Sequence, residues 1–236
     1  MEIGEILGDA LVYPFHNIKA LVLYLILGII LGIAIIGTLV SVSAGVAIEN
    51  IWAVIGSGVI GIIISLFIVF LINGYQLDIV KYGIQRSASA PDIDFIRQFI
   101  NGVKLFAVQI VYMLIPIIIS SILAIIFQHW LSGIISFIVS IIFSLALVMA
   151  QCRLAKTEDI GDALSIGEAI GDISRVGIVK LILVILIITI ISLILYSIAI
   201  LIAKWNATVG GILFGIIVVY VLFFNGRVLG LLYSDV

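Results

Sequence analysis

LILVILIITIISLILYSIAILIA, residues 181–203, runs without one charged side chain. A hydrocarbon core about 30 Å thick takes about 20 apolar residues of helix at roughly 1.5 Å each. The run therefore reads as a membrane-spanning helix, and it sets the terms for the rest of the chain. Only Lys204, Trp205 and Asn206 separate it from a second apolar run, Ala207 to Phe224. A connection that short makes the two spans an antiparallel hairpin.

Four more runs of the same kind lie upstream: Ala20 to Val40, Ile51 to Ile72, Leu105 to Phe127 and Leu131 to Ala150. Composition agrees, with 64% hydrophobic and 10% charged residues, against about 45–50% and about 25% in soluble domains. The expected fold class is an all-α polytopic membrane protein of six transmembrane helices forming one integral membrane domain. A net charge of −2 and the lack of a basic cluster give no means of neutralising phosphates, which excludes nucleic acid as a partner. Cys152 is the sole cysteine, so neither an intramolecular disulfide nor a multi-cysteine metal site can form. The acidic start, MEIGEILGDA, lacks the basic segment of a cleavable signal, so the first apolar run is expected to stay as an anchor.

Ten of the eleven Lys and Arg residues fall on the side of the termini and the long connections, and Lys204 alone on the side of the short hairpins. The positive-inside rule then predicts both termini in the cytoplasm of a cell-membrane protein. Trp52, Trp130 and Trp205 each sit at a hairpin and read as interfacial anchors. The same three residues also keep time, being 78 and 75 residues apart. The inner ends of the second, fourth and sixth spans, NGYQL, AQCRL and NGRVL, repeat that period. This predicts three two-helix repeats, about 1–75, 76–151 and 152–236. Each is preceded by a cytoplasmic amphipathic pre-helix, the middle one carrying Ile93, Ile96, Phe99, Ile100 and Val103. An even number of spans per repeat keeps the copies parallel, which favours a pseudo-threefold axis along the membrane normal.

One phrase occurs in two of the pre-helices: IGEILGDA at 3–10 and IGEAIGDI at 166–173. Gly4 and Gly8, like Gly167 and Gly171, share a helix face, and such spacing is expected to let another helix approach closely. The rival reading takes Glu5, Asp9, Glu168 and Asp172 as a cation site or a contact with basic partners such as Lys81, Arg86 or Arg175. Within the spans, Ser132, Ser136, Ser140 and Ser144 form a ridge at four-residue intervals, as do Gly28 with Gly32, Ser57 with Gly61, and Gly211 with Gly215. Helix packing is the expected role, and a hydroxyl-lined solute path is the alternative. Pro116 should kink the third span.

Chemistry is sparse. No acidic or basic residue falls in the middle of a span, where proton relays and ion paths place them. No catalytic, cofactor-binding or metal-binding motif is visible, so no enzyme activity and no cofactor are expected. The segments DALVYPFHNIKALV (9–22), GYQLDIVKYGIQRSASAPDIDFIRQFINGVKLFAVQIVYMLIP (74–116) and RLAKTEDIGDALSIGEAIGDISRVGIVK (153–180) resemble an archaeal multi-pass membrane protein family, domain of unknown function 4013. The shared points are the aromatic-Pro-Phe at Tyr13 to Phe15, a Gly-Tyr before a basic segment, the Pro91–Asp92 pair, and Gly102 with Lys104. The resemblance implies an archaeal cell-membrane location, no known activity and no catalytic residues. The expected function is that of a non-catalytic scaffold or lipid-interacting membrane protein, with membrane lipids and a cytoplasmic protein as partners. The alternative is a transporter or channel for a neutral or amphiphilic solute along the pseudo-threefold axis.

Overall fold

The structure, a computed structural model, describes residues 1–127 and 130–236. Gln128 and His129, read above as part of the second hairpin turn, lie outside the described residues. Among those described there is no strand. A short helix α1 (Ile3–Val12) leads through a 3-10 turn (Tyr13–Asn17) into α2 (Ile18–Ala47), followed by α3 (Ile51–Ile84), α4 (Phe95–Ile126) and α5 (Trp130–Thr157). Two short helices, α6 (Ile160–Leu164) and α7 (Ile166–Val176), precede the last hairpin, α8 (Ile178–Trp205) and α9 (Ala207–Tyr233). Six helices are long and apolar enough to cross a membrane.

Local chemistry sets the boundaries. Asn50, Asp94 and Asn206 cap α3, α4 and α9, each side-chain oxygen accepting a backbone N–H of the first turn, which satisfies donors that a helix start leaves free. The hairpin of α8 and α9 consequently needs only Asn206 as its link. Gly177, with φ +95°, makes the joint between α7 and α8, a backbone state that any other side chain would strain. The middle amphipathic stretch departs from expectation. It forms no separate helix, because nothing between Phe95 and Leu105 breaks the chain, and it continues into the span as the first turns of α4.

The long helices pack as the hairpins α2–α3, α4–α5 and α8–α9, with α3 also meeting α4, α5 and α9, and α2 meeting α9. Glycines create the closest approaches. A Cβ at Gly28 or Gly32 of α2 would collide with the carbonyls of Gly215 or Gly211 on α9. At Gly74 it would strike the backbone of Gln98, and at Gly102 that of Phe70, so α3 and α4 also touch backbone to backbone. This is the small-residue packing expected inside membranes. Between α5 and α8 no comparable approach occurs among the described residues. They contribute Met149, Leu181, Val184 and Ile188 to one buried apolar cluster. Burial is uneven. In the most apolar 18-residue window, 39% of α9 is buried but 11% of α4, which makes α9 a central helix and leaves α4 facing the surroundings.

Candidate functional site

The polar side chains that the fold buries lie toward the end of the bundle where both termini sit. Three junctions there share one logic, an Asp–Arg pair between a long helix and the segment that leads into another. On α1, Asp9 Oδ1 accepts from Arg227 Nε of α9 at 2.5 Å, and Asp9 Oδ2 from Arg227 Nη2 at 3.2 Å. This bidentate fork is the geometry that guanidinium favours. Arg227 is 3% exposed, also donates to the Ser87 carbonyl at 2.8 Å and lies 4.2 Å from the Tyr13 ring centre, so its charge is compensated on several sides.

On α7, Asp172 has no exposed surface and accepts from Arg153 of α5 at 3.0 Å, from Arg175 at 2.9 Å and from the Tyr233 hydroxyl at 2.5 Å. Glu168 adds a 3.5 Å ion pair to Arg153. The third junction reverses the signs. Asp78 of α3 accepts from Arg97 of α4 at 3.0 Å, from Gln98 at 3.2 Å and from Asn101 at 3.4 Å. Gln98 in turn accepts from the Tyr24 hydroxyl, whose ring stacks on Tyr75 at 4.4 Å. Buried carboxylates require such complete partnering, since an isolated ion would cost several kcal/mol to desolvate.

The segment between α3 and α4 has no regular structure, and side chains satisfy its carbonyls. Tyr13 donates to Ser89, Tyr75 and Asn17 to Pro91, and Gln98 to Asp92, over 3.1–3.4 Å. The carbonyls of Ser89, Asp92 and the buried Pro91 are thus partnered without a strand or helix. Two tight turns reinforce this end. Arg86 and Glu158 adopt positive φ, 52° and 60°, just past α3 and α5, where Arg86 pairs with Asp235, and Glu158 with Lys81 at 2.5 Å.

The hydrogen bond and charge of Lys81 hold the Glu158 carboxyl below its ordinary range. A carboxylate with a depressed folded-state pKa stabilises the fold above its unfolded value of about 4.3 and loses that contribution as pH falls through the folded value. The expected result is a drop in melting temperature below about pH 4.5 that Glu158→Gln makes shallower. Thermal melts of the two proteins from pH 3 to 7 would check it, and the difference is modest because Glu158 is 55% exposed.

Several sequence expectations change. An added Cβ at Gly4, Gly8, Gly167 or Gly171 meets nothing within 4 Å, so these glycines face open space and not a neighbouring helix. The acidic residues on the adjacent faces make the contacts. Nor do Glu5, Asp9, Glu168 and Asp172 form a four-carboxylate cation site. Asp9 is bound to Arg227, Asp172 to Arg153 and Arg175, and Glu5 accepts the Glu2 N–H at 3.0 Å as part of a capping box. No group of three or more His, Cys, Asp or Glu that could hold a metal occurs among the described residues.

The exposure of two of its members keeps the serine row from lining an axial path along its length. Ser140 and Ser144 are exposed and donate to the carbonyls of Ser136 and Ser140 in their own helix, at 2.8 and 2.7 Å. With the kink residue Pro116, they border a cleft of about 190 Å³ on the bundle's flank. Ser132 and Ser136 are half-buried. Trp52, Trp130 and Trp205 are 80%, 74% and 94% exposed at the hairpin ends. Cys152 is fully buried.

Sequence reasoning counted Arg97, Arg153 and Arg227 as topology charges only and passed over Asp78, Gln98 and Asn101. The available signal was single charges embedded in otherwise apolar ends, Asp78 in GYQLDIV and Arg227 in NGRVLG.

No curated protein and no solved structure matches the chain. A family match covers residues 57–204, from within α3 to the end of α8, and so takes in the Asp78–Arg97 and Arg153–Asp172 junctions. Because the match spans more than half of the chain, this membrane protein belongs to the family described as Protein of unknown function (DUF4013).

Proposed function

We propose that the chain is a non-catalytic, lipid-interacting scaffold of an archaeal cell membrane, made of three two-span units with both termini in the cytoplasm. In this reading α1 and α7 are cytoplasmic pre-helices, the first turns of α4 are the third, and each tryptophan sits at the outer interface. Each Asp–Arg junction then ties the returning helix of one unit to the start of the next: α9 to α1, α3 to α4, α5 to α7. The phrase IGExxGD recurs because its aspartate makes that tie in two of the three places.

The observation that carries the reading is the division between the two ends of the bundle. Charges are paired at the end that holds both termini, whereas the cleft of about 330 Å³ between α2 and α3 is almost wholly apolar, and the clefts bordered by Ser140 and Ser144 or by Thr38, Ser41 and Ser57 offer hydroxyls but no charge. An apolar cleft open to a bilayer accepts acyl chains and offers no replacement for the hydration shell of a polar solute. A solute path would need the serine row turned inward, and Ser140 and Ser144 are exposed on the flank.

Native mass spectrometry of protein released gently from its own membrane is the test, together with osmotic swelling of proteoliposomes in glycerol. Retained lipid, or a defined heteromeric mass with vesicles that stay tight, is the expected result. A bare monomer in vesicles made permeable to glycerol would overturn the scaffold reading in favour of conduction.

A further inference from the structure

Between the first turns of α4 and the short helix α6 lies a cleft of about 270 Å³, lined by Phe99, Ile100, Val103, Lys104 and Ala107 of α4 and by Ile160 of α6. Phe99 and Ile100 stand four and three residues before Val103, and Ala107 four after it, so they form one stripe, which Ile96, 77% exposed, continues toward the end that holds the termini. Lys104 adjoins that stripe at the start of the apolar run beginning at Leu105. Its ammonium donates to the Glu158 carbonyl at 2.9 Å, and an ammonium has three hydrogens to give. Lys81 lies beside it, 2.5 Å from the Glu158 carboxylate. Glu158 thus holds both ammonium groups, Lys104 through its backbone carbonyl and Lys81 through its carboxylate, and Lys104 is the one that lines the cleft. The nearby Asp159 carboxylate is engaged with the Gly161 N–H of its own turn at 2.6 Å.

An apolar slot at the inner interface with a lysine at its rim matches one kind of occupant, a membrane amphiphile with an anionic head. We infer that this α4–α6 cleft binds the tail of an anionic lipid of the inner leaflet while Lys104, backed by Lys81, holds its phosphate. The site rests on the lipid-interacting reading and sharpens it: the lipid class is anionic, and the place is one cleft.

The test adds phosphatidylglycerol or phosphatidylcholine to the delipidated full-length chain and counts bound lipid by native mass spectrometry. Wild type is expected to retain phosphatidylglycerol preferentially. Lys104→Gln should cut that retention by about five-fold, the effect of roughly 1 kcal/mol per lysine near a headgroup. Val103→Trp fills the slot from a position already 40% exposed, so the fold tolerates it, and it should remove the preferred lipid without altering any charge. Equal retention of both lipids by wild type, or phosphatidylglycerol binding unchanged by both substitutions, would overturn the cleft and leave the general lipid reading standing. Failure of wild type to retain either lipid would overturn both.

Discussion

Replacing Asp172 by Ala is expected to cost about 3–5 kcal/mol of stability, the range seen when one partner of a buried ion pair is deleted. Asp172 is completely buried and Arg153 is 16% exposed at its side chain, so the substitution leaves a guanidinium facing its former partner with little water to replace it. Arg175 and the Tyr233 hydroxyl lose the same acceptor. Glu168→Ala is the matched control. It removes a second carboxylate from Arg153, but one that is 57% exposed and 3.5 Å away, and exposed pairs contribute about 0–1 kcal/mol. Denaturation of the two variants in the same detergent would compare them directly. Equal losses would mean that the buried Asp–Arg contact is not what fixes α7 against α5.

The glycines provide the second large effect, and it has opposite signs in two parts of the chain. Gly74→Ala is expected to destabilise by about 1–3 kcal/mol, the usual cost of overpacking. Its Cβ would meet the backbone of Gln98, and no rotamer change can relieve a clash with backbone. The displaced segment also carries Arg97 and Gln98 away from Asp78, so the junction would loosen with the helix contact. Gly4→Ala and Gly167→Ala should instead stabilise by up to about 1 kcal/mol. Each lies in a helix with open space around its Cβ, where alanine has the higher helix propensity. A thermal melt of each variant distinguishes the cases. A loss at Gly4 or Gly167 comparable to that at Gly74 would show that the repeated phrase packs against something after all.

These two expectations mark where sequence reasoning holds and where it stops. A four-residue glycine spacing is the same pattern in α1, in α7 and in the α2–α9 contact, yet only the last brings backbones together. Spacing determines which residues share a face of a helix, and nothing in it says whether another helix arrives there. Similarly, Ser132 to Ser144 form a true row on α5, but the way α5 packs leaves Ser140 and Ser144 exposed on the flank. The middle pre-helix was legible as an amphipathic stretch and misjudged as a separate element, because periodicity continues across a junction that has no breaker.

The sequence by itself determined that this chain is helical and that six of its helices can cross a membrane. Those properties follow from hydropathy over about 20 residues, so neighbours in the chain suffice. Only the tertiary structure decided which charges meet. Asp9 and Arg227 stand at opposite ends of the sequence, and Asp172 draws on three separate helices. A charge near the end of an apolar helix can be solvated or buried without any change in the residues beside it. What settles the choice is whether a partner of opposite sign is carried there by helices far away in the chain, since burial without that partner costs more than the fold can spare.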